Sequence, residues 1–208
     1  MQVIMPVYEG FDVLDLTGAY EMFRWAGFTN VLAAEHCGLV VGNGGLTIQV
    51  DNDFSYAGKS DILWVPGGSP DAIAAAQASH AFTNFLIRQA AAVTWVTSVC
   101  NGALLLAQAG LLNGYTATTH WAFLPCFARY PQVTVALGNP RYWIDCNRIT
   151  GGGISSGLDE SLEIIKIVAG EAKAVYVQQQ TQYYPDPPVQ SQIPTATTCP
   201  VPLVPLGT

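Results

Sequence analysis

The sequence predicts a three-layer α/β/α sandwich with a mostly parallel central sheet. Three observations lead there. Short apolar runs alternate with helix-like segments along the chain, the pattern of strands joined by crossover helices. Two of those runs, "DILWVPGG" and "VTWVTSV", are nearly continuously apolar, as strands buried on both faces of a parallel sheet must be. Half of the 208 residues are hydrophobic and only 11% are charged, so the chain can bury a substantial core.

In chain order, "QVIMPVY" (residues 2–8) predicts a first buried strand. Residues 19–25, "AYEMFRW", predict a short amphipathic helix, and "NVLAAE" a second strand. "LVVGNGGLTIQVD" predicts a hairpin turned by Gly42–Gly45. The strand in "DILWVPGG" ends at a Pro-Gly-Gly turn, and residues 70–92 predict helix with a break near Ser79. "VTWVTSV" predicts another strand, followed by a helix over 101–110 that Gly110 ends. "YTATTH" predicts a short strand leading to a helix at 121–127, and "QVTVAL" and "YWIDCNRIT" two further strands. Ser156, three residues before Asp159, predicts a capping-box start for a helix ending at Gly170, and a last helix spans 171–182.

From Pro185 the chain carries seven of its thirteen prolines, which exclude helix and central strand. This stretch, 185–208, reads as an extended tail packed on the body. No repeat or linker interrupts the rest, so residues 1–208 are expected to form a single domain.

Composition excludes several partners. Eight Lys+Arg against fifteen Asp+Glu give a net charge of −7, with no basic patch to neutralise phosphates, so neither nucleic acid nor an anionic membrane is an expected partner. The uncharged run from Ala90 to Leu112 is long enough to span a bilayer, but a buried strand followed by a buried helix explains it equally well. Five scattered cysteines, odd in number and never in a C-x-x-C pair, suit neither a disulfide framework nor a zinc site. Cys37, Cys126, Cys146 and Cys199 are therefore expected to be structural. "MQVIMPVY" has no basic leader, and a cytoplasmic location is expected.

"VTSVCNGALLL" (96–106) carries the chemistry. A cysteine where a buried strand passes into a helix has the geometry of a nucleophile elbow. It would lie at the carboxyl end of a central strand, where open α/β sheets place their sites. The amino end of a helix aimed at the sulfur favours thiolate, and Gly102 leaves room for a sharp turn and a close strand. A small buried hydrophobe is the competing reading of Cys100. Asp15, on its own pattern, reads as a helix cap. Gly151–Gly153 lack the G-K-[ST] ending of a phosphate loop and read as a turn.

"VTSVCNGALLLAQAGLLNGYTATTHW" (96–121) closely resembles the nucleophile region of the ThiJ/PfpI superfamily. "FDVLDLTGAYEMF", "ILWVPGGSPDA", "RITGGGISSGLDESLEII" and "QYYPDPPV" resemble its other segments in family order. The resemblance implies a flavodoxin-like fold related to class I glutamine amidotransferases, and commonly a homodimer. D-L-T-G together with S-V-C-x-G and A-T-T-H-W looks most like the isocyanide hydratase branch. PfpI-type proteases place a histidine directly after the cysteine, where Asn101 stands here.

That resemblance assigns Cys100 as nucleophile and Asp15 as the acid beside it. It implies that the backbone N–H groups of Gly68 and Asn101 face one pocket and stabilise developing charge. Thr17, Asn101, His120 and Trp121 are its candidate substrate-binding residues. Thr17 and His120 have plain alternatives as a helix cap and a hydrogen-bonded core residue. The hydratase pattern carries Thr where this chain has Asn101, whose amide can also donate to sulfur but with different reach. The implied substrate is a small-molecule isocyanide, attacked by Cys100 while Asp15 supplies the proton, through a thioimidate and with neither metal nor organic cofactor. Two alternatives use the same cysteine: a small-molecule or redox sensor domain without a DNA-binding module, and glyoxalase or deglycase chemistry on reactive carbonyls.

Overall fold

The computed structural model describes residues 1–56 and 58–203. In order these form β1 (Gln2–Pro6), α1 (Val13–Trp25), β2 (Thr29–Ala34), β3 (Gly38–Val41), β4 (Thr47–Val50), β5 (Asn52–Asp53), β6 (Ile62–Val65), α2 (Pro70–Ala78), α3 (His80–Ala92), β7 (Trp95–Ser98) and α4 (Gly102–Gln108). There follow β8 (Thr116–Ala117), a 3-10 helix (Trp121–Arg129), β9 (Thr134–Val135), β10 (Tyr142–Asp145), β11 (Arg148–Gly151), α5 (Ser156–Ala169) and α6 (Glu171–Gln180).

Seven strands make the main sheet in the order β10-β11-β7-β6-β1-β2-β5. All its pairings are parallel except the β10–β11 edge. Although β6 is continuously apolar, its side chains alternate between two cores. Leu63 and Val65 pack with α2, α3, α4 and the 3-10 helix; Ile62 and Trp64 pack with α1, α5 and α6. This is the expected three-layer sandwich.

Several elements depart from the sequence reading. Helix α1 begins at Val13, a turn and a half earlier than expected, because Gly18 does not break it. A Cβ at Gly18 would come 3.1 Å from Leu158 of α5, so the glycine lets two helices approach closely and offsets its poor helix propensity. "YWIDCNRIT" is a hairpin of β10 and β11; Cys146, at φ 54, turns it without the Asn-Gly signal usual in such turns. The N-cap position of α5 is Ser155, not Ser156, and its side chain makes no capping hydrogen bond; Asp159 instead accepts from Arg141 at 2.6 Å. Ser79 ends α2 and caps α3 through its hydroxyl, which is the expected break. The uncharged run 90–112 divides among the end of α3, β7 and α4, and among the described residues no helix is long and apolar enough to cross a membrane.

The cysteine expectation needs a larger correction. Cys126 of the 3-10 helix and Cys199 of the tail form a disulfide across 73 residues of sequence. Nothing in the spacing marks that pair, because a tertiary contact brings it together. The tail is otherwise extended and mostly exposed, and Val201 beside the disulfide is buried with its carbonyl accepting from Arg129 at 2.7 Å. The expected tail runs to residue 208, of which 204–208 lie outside the described residues.

Candidate active site

The carboxyl ends of β1, β6 and β7 lie side by side at the point where the strand order reverses, the position at which doubly wound sheets form their crevice. Cys100 follows β7 in the left-handed region, at φ 56, a conformation that costs a non-glycine residue about 1–3 kcal/mol. Its backbone is over-determined. The Cys100 N–H donates to Gly152 at 2.8 Å, and the Thr119 hydroxyl donates to the Cys100 carbonyl at 2.7 Å. A Cβ on Gly102 would sit 2.3 Å from the Val65 carbonyl oxygen, so this glycine is what allows the elbow to press against β6. Ile154, at φ 25, is a second strained residue whose N–H acts on the same sulfur.

Asp15 comes from the first turn of α1, not from a loop before it, and Asp12 holds the N-cap position. The sequence placed Asp15 outside the helix only because Thr17 and Gly18 obscure the first turn. The side chain is fully buried, and Oδ2 accepts the Gly67 N–H at 2.9 Å. The Trp64 indole donates to the Asp15 carbonyl at 2.9 Å and fixes the turn. Among the described residues Oδ1 has no partner. Atoms of Asp12, Asp15 and Cys100 lie within 4.8 Å of one another, so the carboxyl and the sulfur, 85 residues apart, share one site.

Both groups are held towards their protonated forms. Burial and the neighbouring Asp12 push Asp15 up to about 8, against the Gly67 N–H and the hydrogen bond with Cys100. Burial, then the Asp15 charge, pushes the Cys100 thiol well above its ordinary value, and the N–H groups of Ile154 and Asn101 pull back. Against the expected helix-stabilised thiolate, burial of Cys100, 2% exposed, opposes the backbone donors and favours the thiol. Asp12, Asp15 and Cys100 are spaced to hold a divalent cation, but binding would first have to strip protons from the carboxyl and the thiol.

Two further expectations are corrected. The Gly68 N–H does not face the pocket free; it donates to Asn101 Oδ1 at 2.8 Å. The Asn101 amide does not donate to sulfur, because its Nδ2 donates to the Gly68 carbonyl at 2.7 Å. Asn101 is a clasp between the turns after β6 and β7, and its own backbone N–H is the group that reaches the sulfur. Thr17 is exposed, with its hydroxyl donating to Val13 at 2.8 Å, and joins neither cleft nor cap.

His120 and Trp121 line a cleft of about 340 Å³ that also touches Thr119, Gly152 and Ile154, the residues around Cys100. His120 Nδ1 accepts the Ala122 N–H at 3.1 Å and caps the 3-10 helix, and burial lowers its pKa. A Cβ on Gly153 would meet its ring at 2.4 Å.

Sequence reasoning missed Glu160 and Tyr8. Glu160 is fully buried on α5, neither carboxyl oxygen has a partner among the described residues, and burial followed by the Asp15 charge holds it well above the carboxylate range. Its Oε2 occupies the space a Cβ on Gly151 would need. Helical spacing was the available signal, since Gly157, Glu160, Ser161 and Ile164 fall on one buried face. Tyr8 donates to the Pro66 carbonyl at 2.9 Å and lies in the field of Asp15 and Cys100.

The sequence matches the DJ-1/PfpI family over residues 1–167. The chain belongs to the DJ-1/PfpI family. Within that family it is similar to an isonitrile hydratase of Pseudomonas putida, 33% identical over 198 residues, covering 93% of this chain and 83% of that protein. It is also similar to the HTH-type transcriptional regulator CdhR of Pseudomonas aeruginosa, 30% identical over 82% of this chain, which spans about half of the regulator (52%). Among solved structures, a ThiJ/PfpI family protein from Pseudomonas syringae superposes with a TM-score of 0.85 at 34% identity, over 90% of this chain and 77% of that one. The parallel sheet and flanking helices are those of a DJ-1/PfpI fold.

Proposed function

We propose that this DJ-1/PfpI chain hydrates small isocyanides to N-formyl amines, with Cys100 as nucleophile and Asp15 as the proton carrier. The observation that carries this reading is the shared burial of a thiol and a carboxyl held protonated to about 8, their atoms within 4.8 Å. The 33% identity to an isonitrile hydratase supports the substrate class.

A neutral pair suits this chemistry. The sulfur lone pair attacks the terminal carbon of R–N≡C, Asp15 gives its proton to that carbon, and the thiol proton passes to the vacated carboxylate oxygen. The product is the thioimidate R–N=CH–S–Cys100, with Asp15 again protonated. Water then adds to the same carbon as Asp15 protonates the nitrogen. The carboxylate takes the water's excess proton and returns it to the departing sulfur, then accepts the remaining hydroxyl proton as the carbonyl forms, releasing R–NH–CHO with Cys100 as thiol and Asp15 again protonated. Negative charge that develops on sulfur meets the Ile154 and Asn101 N–H groups, since the Gly68 donor is engaged. No step draws on a cofactor.

The test is intact-mass detection of a Cys100 adduct with an alkyl isocyanide, together with formamide release. Cys100→Ala should abolish both, and a broad isocyanide panel without turnover would reject the reading. The similarity to CdhR favours a second reading, a ligand or redox sensor. Its redox form is weakened by the raised thiol, because sensor cysteines are low-pKa and accessible. We further propose a homodimer, to which the exposed Leu39, Val41 and Leu46 of the β3–β4 hairpin lend an apolar surface. The cytoplasmic location is expected from the lack of a basic leader, and the Cys126–Cys199 disulfide speaks against it, since such bonds are rare in a reducing compartment.

A further inference from the structure

We infer that the proline-rich tail is a wall of the cleft through which substrate approaches Cys100, with Ile193 limiting substrate bulk and the Cys126–Cys199 disulfide holding that wall in place. The inference rests on Cys100 being the reacting centre, as proposed above. It adds a specificity-determining residue from a part of the chain beyond the 1–167 family match.

The cleft borders Thr119, Gly152 and Ile154, which hold Cys100, and is built by the body except for one tail residue, Ile193, which joins its lining while 53% exposed. His120, Trp121, Arg141 and Ile154 come from the body, and Ile193 is the tail residue among its lining. The 3-10 helix ties the two together. It starts at the cleft, with His120 as its cap and Trp121 as its first residue, and near its far end it carries the disulfide at Cys126 and Arg129, which holds the Val201 carbonyl at 2.7 Å.

The chain lengths permit this arrangement. Ile193 and Cys199 are six residues apart, as are His120 and Cys126. Six extended residues reach up to about 20 Å, and six residues of 3-10 helix rise about 12 Å. The tail therefore spans from staple to cleft with slack for its bends.

The cleft residue and the disulfide residue both precede a proline, Ile193–Pro194 and Cys199–Pro200. A residue before proline is confined to extended backbone, so each of the two loses little freedom when the tail is held. Most of the tail between them is exposed. The disulfide, the Arg129 bond and the buried Val201 hold it; without the covalent link Ile193 would be free to leave the cleft.

The consequence is selection by size. Compact isocyanides pass, and branched or polycyclic ones meet Ile193. The experiment uses the full chain with Cys37→Ser and Cys146→Ser, the two exposed free cysteines, so that alkylation reports Cys100. Iodoacetamide serves as the compact probe and N-phenylmaleimide as the bulky one. Ile193→Ala, and separately Cys126→Ser with Cys199→Ser, should raise the bulky-to-compact rate ratio about tenfold, the scale on which a pocket wall discriminates small changes of volume. Ile193→Trp should lower it. An unchanged ratio in folded Ile193→Ala and Ile193→Trp chains overturns the inference, and these two decide it if the double serine variant fails to fold. Alkylation needs no turnover. A shifted ratio without isocyanide hydration would reject the proposed function while leaving the wall standing.

Discussion

Asn101 and Gly68 clasp each other by two hydrogen bonds. The Gly68 N–H gives to Asn101 Oδ1 at 2.8 Å, and Asn101 Nδ2 gives to the Gly68 carbonyl at 2.7 Å. The ring joins the turn that follows β6 to the elbow that follows β7. Gly67, next to the clasp, holds Asp15, and Cys100 is the residue before Asn101. The side chain that the hydratase pattern replaces with Thr is here the mechanical link between acid and nucleophile.

Removing the clasp should cost both stability and chemistry. Asn101→Ala leaves a buried N–H and a buried carbonyl without partners, at about 1–3 kcal/mol for each group. Urea unfolding should show a lower midpoint, and Cys100 adduct formation should slow. Asn101→Thr has one hydroxyl for two partners and should fall between Asn101→Ala and the parent chain.

Asp15→Asn keeps the shape and removes the proton carrier. Isocyanide turnover should fall by about 10²–10⁴, the usual range for a general acid–base group. Formamide release measured under saturating substrate checks this. A loss smaller than tenfold would mean that solvent, and not Asp15, delivers the proton.

Activity and stability should both decline at high pH. Proton delivery by Asp15 ends as it ionises, so turnover should drop as pH rises through about 8. For stability, Asp15 titrates near 8 when folded and in the ordinary carboxylate range when unfolded, so across that window the folded chain binds more protons. Stability therefore falls as pH rises, and the contribution of the protonated carboxyl is lost above about 8. Thermal midpoints from acid to alkaline buffer should slope downwards, and Asp15→Asn should flatten the slope.

Glu160 adds to the same slope, because burial holds it protonated with no hydrogen-bond partner among the described residues. Glu160→Leu replaces an unpaired polar group by apolar volume in a fully buried position beside Gly151. It should raise stability by about 1–3 kcal/mol, and more at alkaline pH. Calorimetry at two pH values reads the difference.

Gly102→Ala should prevent folding of the elbow, since the new Cβ would meet backbone, the Val65 carbonyl oxygen, at 2.3 Å. Gly114→Ala is the control: at φ 82 it carries backbone strain but has nothing within 4 Å. It should lose about 1 kcal/mol, and soluble yield with the thermal midpoint separates the two.

Most of the architecture was legible because its signals are local. The apolar runs at β6 and β7, the break at Ser79, the turn at Gly42–Gly45 and the strand–Cys–helix junction at Cys100 can each be read from neighbouring residues. Failures came where a distant partner overrode a local preference. Gly18 stays helical because α5 packs against it, and Cys146 turns a hairpin whose strands pair well enough to tolerate it. Glu160 was within reach of helical periodicity, but its polar identity masked a buried position.

From sequence alone came the sandwich, the cysteine at the end of a central strand and, through family resemblance, its partnership with Asp15. Tertiary structure alone decided that Asn101 spends its amide on Gly68, that Cys126 meets Cys199, and that thiol and carboxyl both lean towards their protonated forms. The physical reason is common to all three. Hydrogen-bond allocation, cysteine pairing and desolvation depend on what else occupies a few ångströms of space, and those neighbours lie tens of residues away along the chain.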